Sequence, residues 1–178
     1  RIAKNHFKAI ETLADDLELV GVCDTIPEQL KQEHIPEGVP TFNCITSMLQ
    51  GVDADIVSVC TPSGLHPRNT VEIARAGLHV MTEKPMATRW ADGLRMVEAC
   101  DEAGVHLLVI KQNRFNATLQ LLRRAMQEGR FGRVFMANVN VFWTRPQEYY
   151  DSDRWRGTWE LDGGAFMNQA SHYIDLLD

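Results

Sequence analysis

Residues 80–87, VMTEKPMA, set a carboxylate, an ammonium and a proline directly after an apolar run, as Glu83-Lys84-Pro85. A lysine at the carboxyl end of a buried strand is partly desolvated, which suits an ammonium that must meet developing negative charge. A solvated Lys84–Glu83 surface pair is the competing explanation. A second polar set lies in GGAFMNQASHYIDLLD, where Asn168, His172 and Asp175 fall at i, i+4 and i+7 and share one helix stripe. A histidine there serves either general acid/base work or core packing. Three zinc ligands on that stripe are conceivable and not favoured, so no metal is expected. Asp24 ends the run LVGVCD, where a carboxylate either accepts hydrogen bonds from an adenosine ribose and repels a 2′-phosphate, or closes a turn. CTPSGLHP, residues 60–67, is rich in small and turn-forming residues. They allow close approach of backbone to a flat ligand, and loop chemistry explains them equally well.

Such groups need strands and helices to bring them together. Apolar runs at 19–23, 56–60, 79–82 and 107–110 have the length of buried parallel strands, and amphipathic segments separate them. Pro67 opens a helix whose Val71 and Ala74 face inward and which stops at Gly77. Thr88 caps the next, with Leu94, Val97 and Cys100 on one stripe and Gly104 at its end. This β-α-β-α order predicts an α/β fold with a doubly wound parallel sheet and ligands beyond the carboxyl ends of the strands.

At the amino end, RIAKNHFKAIETLADD predicts a helix with Phe7, Ile10 and Leu13 or Ala14 inward, and no strand leads into it. Past residue 112 the texture changes. A helix from Asn116 with Leu119, Leu122 and Met126 on one face stops at Gly129, and residues 134–142 alternate as a strand does, Phe135, Ala137, Val139 and Val141 against Met136, Asn138 and Asn140. Phe166, Met167, Ala170, Ile174 and Leu177 predict one terminal helix with a core face opposite its polar stripe. No stop signal closes that helix, so both chain ends are expected to be truncated.

With 178 residues and 44% hydrophobic content the chain can bury a core, and amounts to one domain or one domain plus part of a second. A net charge of −6 argues against a broad basic footprint for nucleic acid, and the apolar runs are too short to span a bilayer. Cys23, Cys44, Cys60 and Cys100 lack CxxC spacing and are expected to be reduced thiols of a cytoplasmic protein.

RIAKNH, CTPSGLHP, EKPMA, QNRF and WRGTW…DGGAFMNQASHYID occur in the order found in the glucose-fructose oxidoreductase / inositol dehydrogenase / MocA family, and the chain resembles that family over nearly its whole length. Within the family it looks like the bacterial dehydrogenases that use NAD to oxidise the 3-hydroxyl of UDP-N-acetylglucosaminuronate in surface-polysaccharide (O-antigen, lipopolysaccharide) synthesis. The resemblance implies a Rossmann domain over residues 1–112, without its first strand and leading glycines. It further implies, over 113–178, the first part of a substrate and oligomerisation domain with a large, mostly antiparallel sheet. It implies NAD held by Arg1, Ile2, Asp24, Thr25, Cys60, Thr61, Pro62, His66, Glu83, Lys84 and Gln112. It implies a nucleotide sugar held by Lys84, Asn113, Arg114, Tyr149, Arg154, Trp155, Arg156, Asn168 and His172.

Lys84 matches the family's catalytic lysine and His172 its catalytic histidine. Pro85, through a cis peptide as in relatives, would hold Lys84 between nicotinamide and sugar hydroxyl. Many relatives carry Asp where this chain has Asn168; a neutral amide takes no proton, which leaves His172 as the expected base. Arginines 154 and 156 suit a carboxylate or diphosphate, or serve ordinary loop packing. No nucleic-acid or membrane partner is expected, and a homo-oligomer, tetramer or dimer, is. Without the leading glycines the chain alone is expected to bind cofactor poorly. The rivals are a sibling dehydrogenase acting on a free sugar or inositol and a non-catalytic NAD-binding regulator.

Overall fold

The computed structural model describes residues 2–31 and 35–177. The apolar runs become parallel strands: β3 (Ile56–Val59), β4 (His79–Thr82) and β5 (Leu107–Val109) lie side by side in that order. Their register aligns Val59 with Thr82 and Thr82 with Val109, so the residues that follow each strand emerge along one edge. β1 (Val22–Cys23) pairs in parallel with β2 (Thr41–Phe42) in a separate two-stranded sheet. The expected strand over 19–23 shortens to two residues because β2 offers only two to pair with, and β2 itself carries too little apolar sequence to announce a strand.

Helices α3 (His66–Arg75) and α4 (Trp90–Ala103) pack on each other and flank the three-stranded sheet. The core between them is Val59, Ile73, Ala74, Val80 and Cys100. Fully burying a side chain such as Ile73 or Val80 stabilises the fold by about 1.5–3 kcal/mol. In α3 the inward face centres on Thr70, Ile73 and Ala74, with Val71 half-buried at its margin. In α4 Cys100 is buried as expected, but Met96 joins it there in place of Leu94 and Val97, which are each 43% exposed. Met96 and Cys100 lie on a stripe that hydrophobicity alone cannot tell from its neighbour about 100° round the helix. Thr88 does not cap α4; its hydroxyl donates to the Glu160 carbonyl (3.4 Å), and Arg89 stands at the N-cap. Gly104 ends the helix in the left-handed region, φ 67°, as its position predicts.

The remaining elements are helical: α1 (Ala3–Thr12), α2 (Ile45–Gly51), α5 (Ala117–Gln127), α6 (Gln147–Asp151), α7 (Gly164–Asn168) and α8 (Ser171–Ile174). On α1, His6, Phe7 and Ile10 are half-buried, while Leu13 and Ala14 are exposed beyond its end. On α5 no residue is buried. Residues 134–142 form no strand among the described residues, and Phe135, Met136 and Phe142 are exposed. Alternation marks a surface that fits a sheet; the strand itself needs a ladder partner. The expected terminal helix is broken into α7 and α8, and its faces are reversed. Phe166 is 75% exposed, whereas Asn168 and His172 are buried. Asn168 turns inward because its oxygens accept from Lys84 and its amide donates to Asp162 there.

Candidate active site at the carboxyl edge of the parallel sheet

Lys84 leaves the end of β4 half-buried, and the Lys84–Pro85 peptide is cis, as expected. Its Nζ donates to the main-chain oxygen of Asn168 at 2.9 Å and to the Asn168 side-chain oxygen at 3.3 Å. Burial lowers the Lys84 pKa below its ordinary 10.5, opposed by Glu83 and Asp162 and assisted by Arg145 and Lys111. Lys84 is thus an ammonium anchored on acceptors, with no carboxylate within ion-pair distance among the described residues. Glu83 does not pair with the Lys84 ammonium. One of its oxygens accepts from the Lys84 backbone N–H (3.2 Å), and the other meets His6 Nε2 at 2.9 Å. Burial alone would raise the Glu83 pKa, and the His6 hydrogen bond and charge more than reverse this, holding it below 4.5. His6 is raised to about 10 by the adjacent Cys60 thiol and Glu83, against the cost of burial, and its Nδ1 meets the Ser58 hydroxyl at 2.9 Å.

Opposite Lys84 stand Asn168, which ends α7, and His172 within α8. The Asn168 amide donates to Asp162, whose other oxygen accepts from the Gly157 N–H at 2.8 Å. This fixes the amide so that its oxygen points to the lysine. Burial, then the charges of Lys84 and Lys111, lowers the His172 pKa below 6.5, so the ring is neutral at physiological pH and able to take a proton. The two halves meet closely. Gly64 N–H donates to the Leu161 carbonyl (2.9 Å), and a Cβ on Gly64 would lie 2.1 Å from the Glu160 oxygen. Nearby, His66 is buried with Nδ1 2.8 Å from the Pro85 carbonyl and Nε2 2.9 Å from the Thr61 carbonyl, tying two strand-end loops together. A neutral ring donates to one of these, and burial disfavours its charged form.

Of the other expected cofactor residues, Cys60, Thr61, Pro62 and Gln112 lie along the same strand ends. Cys60 (half-buried), Thr61 and Pro62 follow β3, and Gln112 follows β5 on the exposed side. Ile2 stands at the start of α1, and Arg1 lies outside the described residues. Asp24 follows β1 and accepts from the Ile26 N–H through Oδ1 (2.9 Å), so it closes a turn while its second oxygen stays out of that bond. Thr25 is exposed.

Of the expected substrate residues, Tyr149 and Arg156 are joined. The Tyr149 hydroxyl accepts from Arg156 (2.7 Å) and Gln169 (3.0 Å), and the Arg156 guanidinium lies over the rings of Tyr149 and Trp155. Arg156 also donates to Asp153 at 2.8 Å. Arg154 is exposed. Asn113 is half-buried, and Arg114 makes a bidentate pair with Asp175 at 2.8 and 2.7 Å. That pair, with Lys111 at 3.4 Å, holds the Asp175 pKa below 3.8 and removes Asp175 from the polar stripe as a free group.

Residues 1–111 match the model of the GFO/IDH/MocA oxidoreductases, NAD-binding Rossmann fold, and residues 119–178 match that of the GFO/IDH/MocA C-terminal domain. The chain belongs to the GFO/IDH/MocA oxidoreductase family. Two solved structures of similar chains are of WlbA dehydrogenases in complex with NADH and UDP-GlcNAcA. The one from Bordetella pertussis is 62% identical with a TM-score of 0.96, covering 100% of this chain and 56% of that one. The one from Chromobacterium violaceum is 66% identical with a TM-score of 0.96, covering 100% and 52%. A curated relative, the 1-carboxy-3-chloro-3,4-dihydroxycyclohexa-1,5-diene dehydrogenase of Comamonas testosteroni, is 30% identical over 90% of this chain and 40% of its own length. The chain therefore spans about half the length of the proteins it matches, or less.

For a GFO/IDH/MocA chain, sequence reasoning missed His6, Ser58, Asp162, Gln169 and Arg145. Asp162 alone carried a local signal, the turn-forming DGG, and the others act through partners far away in sequence.

Proposed function

We propose that this chain supplies the cofactor domain and the catalytic groups of an NAD-dependent dehydrogenase that oxidises the 3-hydroxyl of UDP-N-acetylglucosaminuronate. The observation that carries this is the triad formed at one sheet edge by an anchored ammonium, a fixed amide and a neutral buried histidine: Lys84, Asn168 and His172. The two WlbA structures, named with NADH and UDP-GlcNAcA, support the choice of substrate. The strand-end loops fit the dinucleotide: they lie side by side, and Asp24 keeps one carboxylate oxygen out of its own turn for a ribose. In this reading residues 1–112 form the cofactor domain and 113–178 begin the substrate domain.

His172 takes the proton of the sugar hydroxyl at a ring nitrogen. Lys84 Nζ donates to the same oxygen and stabilises its developing negative charge, at a position fixed by Asn168. Asn168 is a neutral amide and orients; it takes no proton. NAD, when bound, supplies the nicotinamide carbon that accepts hydride from the sugar. His66 is a positioning residue, too deeply buried to face a ligand. Among the described residues no helix is long and apolar enough to cross a membrane. A cytoplasmic homo-oligomer acting in surface-polysaccharide synthesis is the setting we propose, and the exposed apolar side chains of the second half suit subunit contacts. The test is to incubate the full-length protein and NAD with UDP-N-acetylglucosaminuronate, UDP-N-acetylglucosamine or free inositols, following absorbance of the reduced cofactor. Turnover of the uronate much faster than of the uncharged UDP-sugar or an inositol is expected. Preference for an inositol would replace the substrate, and no turnover with any sugar would point to a regulator.

A further inference from the structure

Arg145 sits between Thr144 and Pro146, just ahead of α6, with its guanidinium 4.5 Å from the Trp143 ring centroid and 5.1 Å from that of Tyr149. Stacking on aromatic rings holds the planar fork in place while leaving its edge for hydrogen bonds. That edge is poorly used. One terminal nitrogen donates to the Gln169 side-chain oxygen at 2.9 Å, the other reaches only the Thr144 carbonyl at 3.4 Å, and Nε is buried with no acceptor. Among the described residues no carboxylate pairs with it, whereas Arg156 is held by Asp153 and Arg114 by Asp175. A half-buried guanidinium with an orphaned donor is destabilised until a two-oxygen anion meets it.

Its location is next to the catalytic groups. Gln169, which holds Arg145, directly follows Asn168, which holds Lys84, and the Arg145 charge acts on Lys84. With Lys111 it makes this edge of the site cationic. We propose that Arg145, rather than Arg154 or Arg156, is the residue that binds an anionic group of the substrate, a carboxylate or phosphate presenting two oxygens to its fork. This rests on the dehydrogenase function proposed above. A nucleotide uronate carries both anions, and comparing it with its uncharged-sugar counterpart separates them.

The experiment uses the full-length protein as wild type, Arg145→Gln and Arg145→Lys, with kcat and KM for UDP-N-acetylglucosaminuronate and UDP-N-acetylglucosamine, and NADH binding by fluorescence as the check on folding. Arg145→Gln should raise KM for the uronate about a hundredfold while kcat stays within about threefold. Arg145→Lys, which keeps the charge and loses the fork, should raise it about tenfold. Loss confined to the uronate assigns the carboxylate; equal loss on both sugars assigns the diphosphate. KM within about twofold of wild type for both substrates, with NADH binding intact, overturns the proposal. Should Arg145→Gln not bind NADH, an unchanged KM in Arg145→Lys overturns it equally. If wild type turns over neither sugar, the dehydrogenase function fails on its own, and calorimetric titration of UDP-N-acetylglucosaminuronate into wild type and Arg145→Gln still decides whether Arg145 binds the anion.

Discussion

Replacing Glu83 with Gln should weaken the fold in a pH-dependent way. The carboxylate is buried and bridges His6 Nε2 at 2.9 Å and the Lys84 N–H at 3.2 Å, so the substitution removes an ion pair and leaves a neutral amide in its place. His6 is raised from 6.5 to about 10, and a shift of that size corresponds to about 5 kcal/mol of linkage if undiminished. Both side chains keep some contact with water, and the Cys60 share of the shift survives the substitution, so the part carried by Glu83 is about 1–2 kcal/mol. The sign follows from the two shifts. The raised His6 contributes stability that is fully present below pH 6.5 and is lost as pH rises through about 10. The depressed Glu83 contributes stability present above 4.5 and lost as pH falls through its folded value. Wild type should therefore exceed Glu83→Gln most between pH 4.5 and 6.5, with the gap closing toward pH 10. Urea unfolding of both full-length proteins at intervals across that range measures it. A gap that stays constant from pH 6 to 10 would refute the ion pair as its source.

Lys84→Met and His172→Asn should each lower kcat by about two to four orders of magnitude in the full-length enzyme, with the double variant falling short of the product of the two losses. The wild-type pH profile should rise on a limb below 6.5, as His172 loses its proton, and fall on a limb below 10.5, as Lys84 loses its own; His172→Asn should erase the first limb, and steady-state rates against pH decide it. Asp24 should make NAD the preferred cofactor and Asp24→Ala should narrow that preference, as kcat/KM for NAD and NADP will show. Gly64→Ala should cost about 1–3 kcal/mol, because the added Cβ would meet the Glu160 carbonyl at 2.1 Å; an unchanged Tm in a thermal melt would show that the two halves separate freely there.

The strands at 56–59, 79–82 and 107–109 were legible because continuous apolar runs between glycine-stopped helices have few other uses. Residue type and spacing marked Lys84, Asn168 and His172 as candidates, and the fold brings Lys84 and Asn168 into contact. The other features depend on distant partners. His6 acquires its role from Glu83, 77 residues away, and Arg145 from Gln169, 24 residues away, and nothing local marks either. The same holds for residues 134–142, whose alternation describes a suitable surface and not a pairing. In α4 the sequence offered two adjacent apolar stripes, and packing against α3 buries the one that carries Met96 and Cys100.

The inward turn of the polar side of α7 follows from the hydrogen bonds of Asn168, and His172 on α8 is buried beside it. Burying Asn168 and His172 while leaving Phe166 and Ile174 outside sacrifices apolar burial of about 1.5–3 kcal/mol per large side chain. It persists because the alternative is worse at this spot: turning the stripe outward would leave the buried Asp162 carboxylate without the Asn168 amide and the Lys84 ammonium without its two oxygens. Removing the partners of buried charged groups costs about 3–5 kcal/mol each. Lys84 and Asn168, the groups proposed to act in catalysis, are thus part of what joins the two halves, alongside Gly64–Leu161 and Thr88–Glu160. Substitutions of Lys84 or Asn168 should consequently loosen that junction as well as slow the proposed reaction. The clean separation of the two effects is His172→Asn, because the His172 ring makes no hydrogen bond among the described residues and its loss should leave the junction intact.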